Sequence, residues 1–383
     1  MLKAGILTPR STLYPSLTVD LMNGLKLSLK QQNIFDEVEL LIENIGYGTD
    51  EADIYARTEK LLLQHDVDLV IVFADSIIAE MLQPLFTATS KILLMVNFGA
   101  NFPKSWKPDP TSITLSLNFC MHAKLTGKLA ALESGKDAAN VVSYYDGGYN
   151  QCYCMLNSHQ ENGGVPLFNH ITHLKMAEFT LEPLQRFLEE HKEVHTLLCL
   201  FAGDQAEKFY QEIPLLQQTN NLNLFVSPMM LNETLKFPDA VNVKNVKGYI
   251  PWHESLKNEE NHIFTQQVIS NTDKPANYFS LLGWETGLLL AAISSQMKSG
   301  NNGAPGIIRS ITGIVFNSPR GWFKIDSSTH LSYGPSMLAC YNNDMKINVV
   351  NDVADIETAW VAFTHEQLPG RDNSSWRNTY LCI

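Results

Sequence analysis

Apolar and polar positions divide the chain into short β-branched-rich runs and longer amphipathic ones. In the first third the extended runs fall at residues 4–8, 38–45, 67–74 and 92–98. Leu17, Leu21, Leu25 and Leu29 recur every four residues, with Met22 alongside, which is one face of a helix. Thr49-Asp50 predicts the start of a second helix ending near Gln64, with Glu51 and Asp53 favouring its positive end. Ser76 predicts the cap of a third over residues 77–88. Pro84 within it predicts a kink or an early break.

A second series follows, with extended runs at 141–145, 165–171, 197–202 and 224–226 and helical patterns at 149–162, 181–192 and 205–218. Strand-to-strand spacing is about thirty residues in both series, the length of a βαβ unit. Two such series predict an α/β protein with two Rossmann-like, doubly wound parallel sheets, each with helices on both faces. The joint falls near Asn118-Phe119, after the strand-like "SITLSLN". Beyond the second series lie an extended run at 245–252, helical patterns at 254–271 and 276–297, the Gly/Pro-punctuated "IVFNSPRGWFKID", and a hairpin-like "MLACYNNDMKINVVND". Material added after both series are complete implies that the chain crosses between lobes more than once.

Composition narrows the partners. The 383 residues exceed one ordinary core, and 45% hydrophobic with 18% charged residues is an ordinary globular balance. A net charge of −12 argues against nucleic acid or an anionic membrane as partner. No apolar run approaches the roughly 20 residues of a membrane span. The sequence as written opens on the strand-like "KAGILT" without an export signal, which reads as cytoplasmic, or as periplasmic if such a signal is missing from it. The six cysteines have no disulfide-framework spacing, and Cys152 and Cys154 on one helix face different ways. No metal or cofactor is expected.

One stretch poses the functional question. "NVVSYYDGGYNQ" runs from an apolar segment into Gly147-Gly148 and on into a helical pattern, the layout of many phosphate sites. It holds no Lys or Arg, and Tyr144, Tyr145 and Tyr149 crowd the glycines, so it is not a strong phosphate cradle. In open α/β sheets ligands sit beyond the carboxyl ends of the strands. That rule selects residues 8–14, 74–76 and 97–102 in the first lobe, and 145–150, 201–205 and 227–229 in the second. Their contents are aromatic and neutral-polar, including Tyr14, Ser76, Asn97, Phe98, Tyr149 and Asp204, as a small-molecule pocket requires. Ser76 and Asp204 each have a plainer reading as helix caps, and Tyr149 as packing. No G-x-G-x-x-G, P-loop, H-E-x-x-H or G-x-S-x-G motif is present, the histidines are scattered, and His170 and His173 at i, i+3 of a strand-like run face opposite sides, so an enzyme is the less favoured class.

The ordered set of segments resembles the periplasmic binding protein type I superfamily, in its leucine/isoleucine/valine- and amide-binding branch. "KAGILTPRSTLYPSLTVDLMNGLKLSL" looks like that family's first strand, ligand loop and helix, and "YARTEKLLLQHDVDLVIVFADS" like its second helix and third strand. "NVVSYYDGGYNQ" stands where the second lobe begins, "VKGYIPW" resembles the return crossing, and "YFSLLGWETGLLLAAI" and "SPRGWFKIDSSTH" resemble later segments. The resemblance implies two lobes joined by a three-strand hinge, 1–118 plus 249–328 and 119–248 plus 329–383, with the ligand cleft between them. It places Tyr14, Ser76 and Tyr149 on ligand-contact positions and Tyr278 on an aromatic wall. The acid that amino-acid binders use for the ligand's ammonium falls here on Met229, in "VSPMM". Either Asp204 replaces it or the ligand has no α-ammonium, which favours an amide, urea-like or carboxylate ligand over an amino acid.

The implied function is a solute-binding protein that closes on a small polar solute for an ABC-type uptake system, with a transporter permease as partner. The alternative is a cytosolic ligand-sensing subunit of the same fold that binds a regulator.

Overall fold

A computed structural model describes residues 1–219, 221–232, 234–235, 243–301, 303–342, 344–353, 355–366 and 368. The first lobe is laid down as β1 (Leu2–Thr8), α1 (Leu17–Gln31), β2 (Val38–Asn44), α2 (Glu51–Leu63), β3 (Leu69–Phe73), α3 (Ile77–Thr89), β4 (Ile92–Asn97) and β5 (Ser112–Ser116). Its five strands are all parallel, in the order β2-β1-β3-β4-β5. Asp50 caps α2 as the sequence predicts, its Oδ1 accepting from the N–H groups of Ala52 and Asp53 at 3.0 and 3.1 Å. Ser76 occupies the N-cap position of α3, but its side chain makes no capping bond. Pro84 does not end α3, which runs on to Thr89.

The chain then enters the second lobe: α4 (Phe119–Glu133), β6 (Asp137–Val142), α5 (Asn150–Glu161), β7 (Val165–Ile171), α6 (Glu182–Glu190), β8 (Thr196–Leu200), α7 (Gly203–Thr219), β9 (Asn223–Val226) and β10 (Val246–Ile250). The remainder comprises α8 (Glu259–Thr272), α9 (Tyr278–Lys298), α10 (Ala304–Ile311), β11 (Val315–Ser318), β12 (Gly321–Ile325), β13 (Ser332–Tyr333), β14 (Met337–Tyr341), β15 (Ile347–Asp352) and α11 (Ile356–Thr364). The second sheet reads β15-β14-β10-β9-β8-β6-β7. Strands β6 to β10 repeat the parallel order of the first lobe, and the predicted hairpin β14–β15 adds antiparallel to β10. The run predicted at 141–145 is shifted: the strand begins at Asp137 and ends at Val142.

Helix α9 returns to the first lobe and packs on α1. The two backbones approach so closely that a Cβ on Gly24 would lie 2.0 Å from the Ser280 carbonyl oxygen, and one on Gly283 would lie 2.0 Å from that of Leu21. Only glycine permits that approach. The three crossings lie between β5 and α4, after β10, and between β13 and β14. The first and third are bonded side by side: the Ser116 N–H donates to Ser332 Oγ at 2.8 Å, and Asn118 Nδ2 donates to the Ser332 carbonyl at 2.7 Å. At the second, Trp252 is buried and donates from Nε1 to Asn261 Oδ1 at 2.7 Å. Helix α11 lies over this region, its Trp360 stacked on Tyr333 at 4.8 Å and its Phe363 on Phe102 at 5.5 Å.

Candidate functional site

In both lobes the strand order reverses direction between the first and third strands, so the crevice opens beyond β1 and β3 on one side and β6 and β8 on the other. These four strand ends face one another. Tyr14, in the loop after β1, reaches across: its hydroxyl accepts the Gly203 N–H at 3.1 Å, at the start of α7. Gly203 adopts φ +56°, and a Cβ there would lie 2.3 Å from Leu13 Cδ1 of the opposite lobe. Position 203 therefore requires glycine twice, for its backbone and for the closeness of the lobes. The glycines of the 140–151 stretch do not serve that purpose. Gly147 and Gly148 form a short 3₁₀ turn, and neither has a positive φ.

One apolar cluster spans the junction. It joins Tyr14, Phe73, Phe98, Tyr278 and Phe279 to Phe119, Tyr149, Ala202 and Met229 from the second lobe. Phe98 lies 5.1 Å from Phe119 in a stacked pair and 5.2 Å from Phe279 edge-on, and Tyr14 lies 5.2 Å from Phe279. Tyr278 opens α9 and contacts Phe119 and Trp252 edge-on at 5.6 and 6.1 Å. Tyr149 is 3% exposed, so it sits within the junction rather than on an open wall. Met229 is fully buried, with its sulfur near Asn232 Nδ2 at 3.7 Å. Five of the sequence-selected residues, Tyr14, Phe98, Tyr149, Met229 and Tyr278, thus belong to one apolar core that continues from the first lobe across the junction.

The other three lie apart from it. Asn97 ends β4 and ties two strand ends together: its Nδ2 donates to the Ala74 carbonyl at 3.2 Å and its Oδ1 accepts the Gly99 N–H at 2.9 Å. Ser76 and Asn97 share a small cavity of about 10 Å³ with the polar Asn101, Ser116 and Asn118 and with Phe102, Trp106, Leu331 and Phe363, room for at most one water. Asp204 is exposed in the first turn of α7, where its charge suits the helix's positive end.

The sequence reading passed over two residues. Asp75, beside Ser76, is 1% exposed and accepts from Asn101 Nδ2 at 3.0 Å. Burial pushes its carboxyl up to about 7, which outweighs the lowering effect of that hydrogen bond. Asn101 in turn touches the second lobe. Asp75 lay inside a selected loop, yet nothing in its neighbours' identity says that the acid turns inward. Among the described residues no group of three or more His, Cys, Asp or Glu could hold a metal ion. None of the described helices is long and apolar enough to cross a membrane.

Two doubly wound lobes with an aromatic junction at the strand ends are the architecture of a two-lobed binding protein. The family model for periplasmic binding proteins matches residues 1–344, and the chain belongs to that family. No curated protein matches it. Among solved structures, an ABC transporter substrate-binding protein from Sphaerobacter thermophilus superposes with a TM-score of 0.78 at 14% identity, covering 92% of this chain and 97% of that one. A solute-binding protein from R. palustris in complex with benzoate gives 0.74 at 18% identity, with coverages of 92% and 96%. A branched-chain amino acid periplasmic ligand-binding protein from Burkholderia xenovorans LB400 gives 0.74 at 10% identity, with coverages of 92% and 95%. The family and these neighbours are binding proteins, not enzymes.

Proposed function

We propose that the chain is the solute-binding component of an ABC-type uptake system, and that its ligand is a small flat carboxylate or amide without an ammonium group. The observation that carries this is the junction cluster itself, which includes fully buried Met229, the residue on which the family resemblance places the acid for an ammonium. An unpaired ammonium in such a site costs several kcal/mol at least, so an amino-acid ligand is disfavoured. Aromatic walls suit a planar ligand body. The benzoate complex of one structural neighbour is a ligand of that shape. In this reading Phe98, Tyr149 and Tyr278 form the walls, and Tyr14 reports closure through Gly203. Ser76, whose hydroxyl makes no capping bond, meets the ligand's carboxylate or amide at the start of α3. Asp204 stands at the rim, Asn97 fixes the strand ends, and a permease is the partner.

A thermal-shift screen tests this, because a ligand bound only by the folded state raises its stability. Benzoate, 4-hydroxybenzoate, small amides and urea are compared with leucine and glutamate. Carboxylates or amides lacking an ammonium should give the largest upward shifts. A larger shift with an amino acid would overturn the ligand assignment.

A further inference from the structure

Helix α5 follows the Tyr149 loop, and its own sequence does not cap it: Tyr149 is at the N-cap position and makes no side-chain capping bond. The acceptors come from the other lobe. The Asn150 N–H donates to Asn101 Oδ1 at 3.0 Å, and the Gln151 N–H donates to the Ala100 carbonyl at 3.1 Å. A reciprocal bond runs from the Phe102 N–H to Asn150 Oδ1 at 3.0 Å. The same loop serves α4, where the Phe119 and Cys120 N–H groups donate to the carbonyls of Phe98 and Gly99 at 2.9 and 2.8 Å. One loop after β4 thus satisfies the first turns of two second-lobe helices whose N-cap side chains do not. The amide orientation of Asn101 is set from its own lobe, because Asp75 Oδ2 accepts from Nδ2 and leaves Oδ1 aimed at α5.

We infer that Asn101 is a positioning residue for lobe closure: it caps α5 from the opposite lobe, in an orientation fixed by Asp75, and so holds Tyr149 and the start of α5 against the first lobe. The inference rests on the reading of this chain as a hinged binding protein. The physical basis is the unsatisfied donors of a helix start. When the lobes separate, the first-turn N–H groups of α5 lose acceptors that its own sequence does not replace, so closure and capping are coupled.

The test uses the full chain without ligand, so its outcome is separate from that of the thermal screen. Amide hydrogen exchange is followed at Phe102, Asn150 and Gln151, alongside the radius of gyration from small-angle scattering. In Asn101→Ala, the Asn150 and Gln151 amides should exchange about tenfold faster, the loss expected for one or two modest hydrogen bonds. The amides of the last turns of α5 should be unchanged, and the particle should expand. Asn101→Asp keeps an acceptor for α5 but loses the donor to Asp75 and sets a second carboxyl beside it, so the Asn150 and Gln151 amides should be less protected than in the wild type. Asn150→Ala approaches the clasp from the other lobe and should release the Phe102 amide, which keeps the proposal testable if position 101 does not tolerate change. Unchanged exchange at these amides in the variants, or rapid exchange in the wild type, would overturn it. A sound clasp in a chain that no candidate solute stabilises would instead count against the binding reading alone.

Discussion

Asp75 shows how one residue's environment sets a measurable property. Its carboxyl titrates near 7 because burial disfavours the charged form. A carboxyl whose folded-state value lies above its unfolded one holds its proton more tightly when folded. Its contribution to stability is fully present below the ordinary 3.8 and is lost as pH rises through that value to about 7. His122 and His253, both lowered to about 4 by burial, act in the opposite sense, since the unfolded chain takes up protons that the buried rings refuse. The Asp75 effect is therefore read as a difference. Asp75→Asn should gain stability relative to the wild type by on the order of a few kcal/mol between pH 4 and pH 8, as followed by thermal denaturation. A pH-independent difference would show a solvated carboxyl. Gly203 gives a second residue-level expectation. Gly203→Ala meets both an unfavourable positive φ and Leu13, so it should lower stability by roughly 1–2 kcal/mol and leave the ligand-free particle more open by scattering.

At the level of elements, the hairpin β11–β12 is fastened to α9 by a buried ion pair. Arg320 Nε and Nη2 donate to Glu285 Oε1 and Oε2 at 2.8 and 2.9 Å, with both side chains essentially inaccessible. Removing one member leaves an uncompensated buried charge, so Arg320→Ala should cost about 3–5 kcal/mol in denaturant unfolding. Arg320→Met with Glu285→Leu should recover much of that loss; failure to do so would assign the pair a specific role in the hairpin's geometry. Elements also differ in how readable they are. Helices α1 and α2 declare themselves by one apolar stripe and by the Asp50 cap. Helix α4 does not: its buried positions from Phe119 to Ala130 include Cys, His, Thr and Gly, while its solvent side carries the exposed Leu132, so apolar identity and burial do not coincide along it. A helix without a clear stripe leaves no 3.6-residue signal.

For the whole molecule, the Tyr14–Gly203 bond and the α5 clasp describe two lobes in contact. A ligand that selects this closed state should compact any open population, by a few per cent in radius of gyration at saturation. If ligands that raise the melting temperature leave scattering unchanged, hinge closure is not part of binding. Tyr149→Ala should weaken binding. Because that ring is buried in the junction, it should also cost about 2–4 kcal/mol of stability, more than an open-cleft residue would.

The sequence by itself determined the two parallel α/β series, the repeated crossing between them and the strand-end loops, because hydrophobic periodicity and chain-length rules act locally. It also brought Tyr14, Phe98, Tyr149, Met229 and Tyr278 forward as candidates, partly from their loops and partly from family resemblance. Only the tertiary structure decided that these five share one buried cluster, that Asp75 points inward, and that α5 is capped by Asn101 from the other lobe. The reason is physical. Burial and hydrogen-bond partners arise between segments up to hundreds of residues apart, and no local pattern records which surfaces two lobes will present to each other.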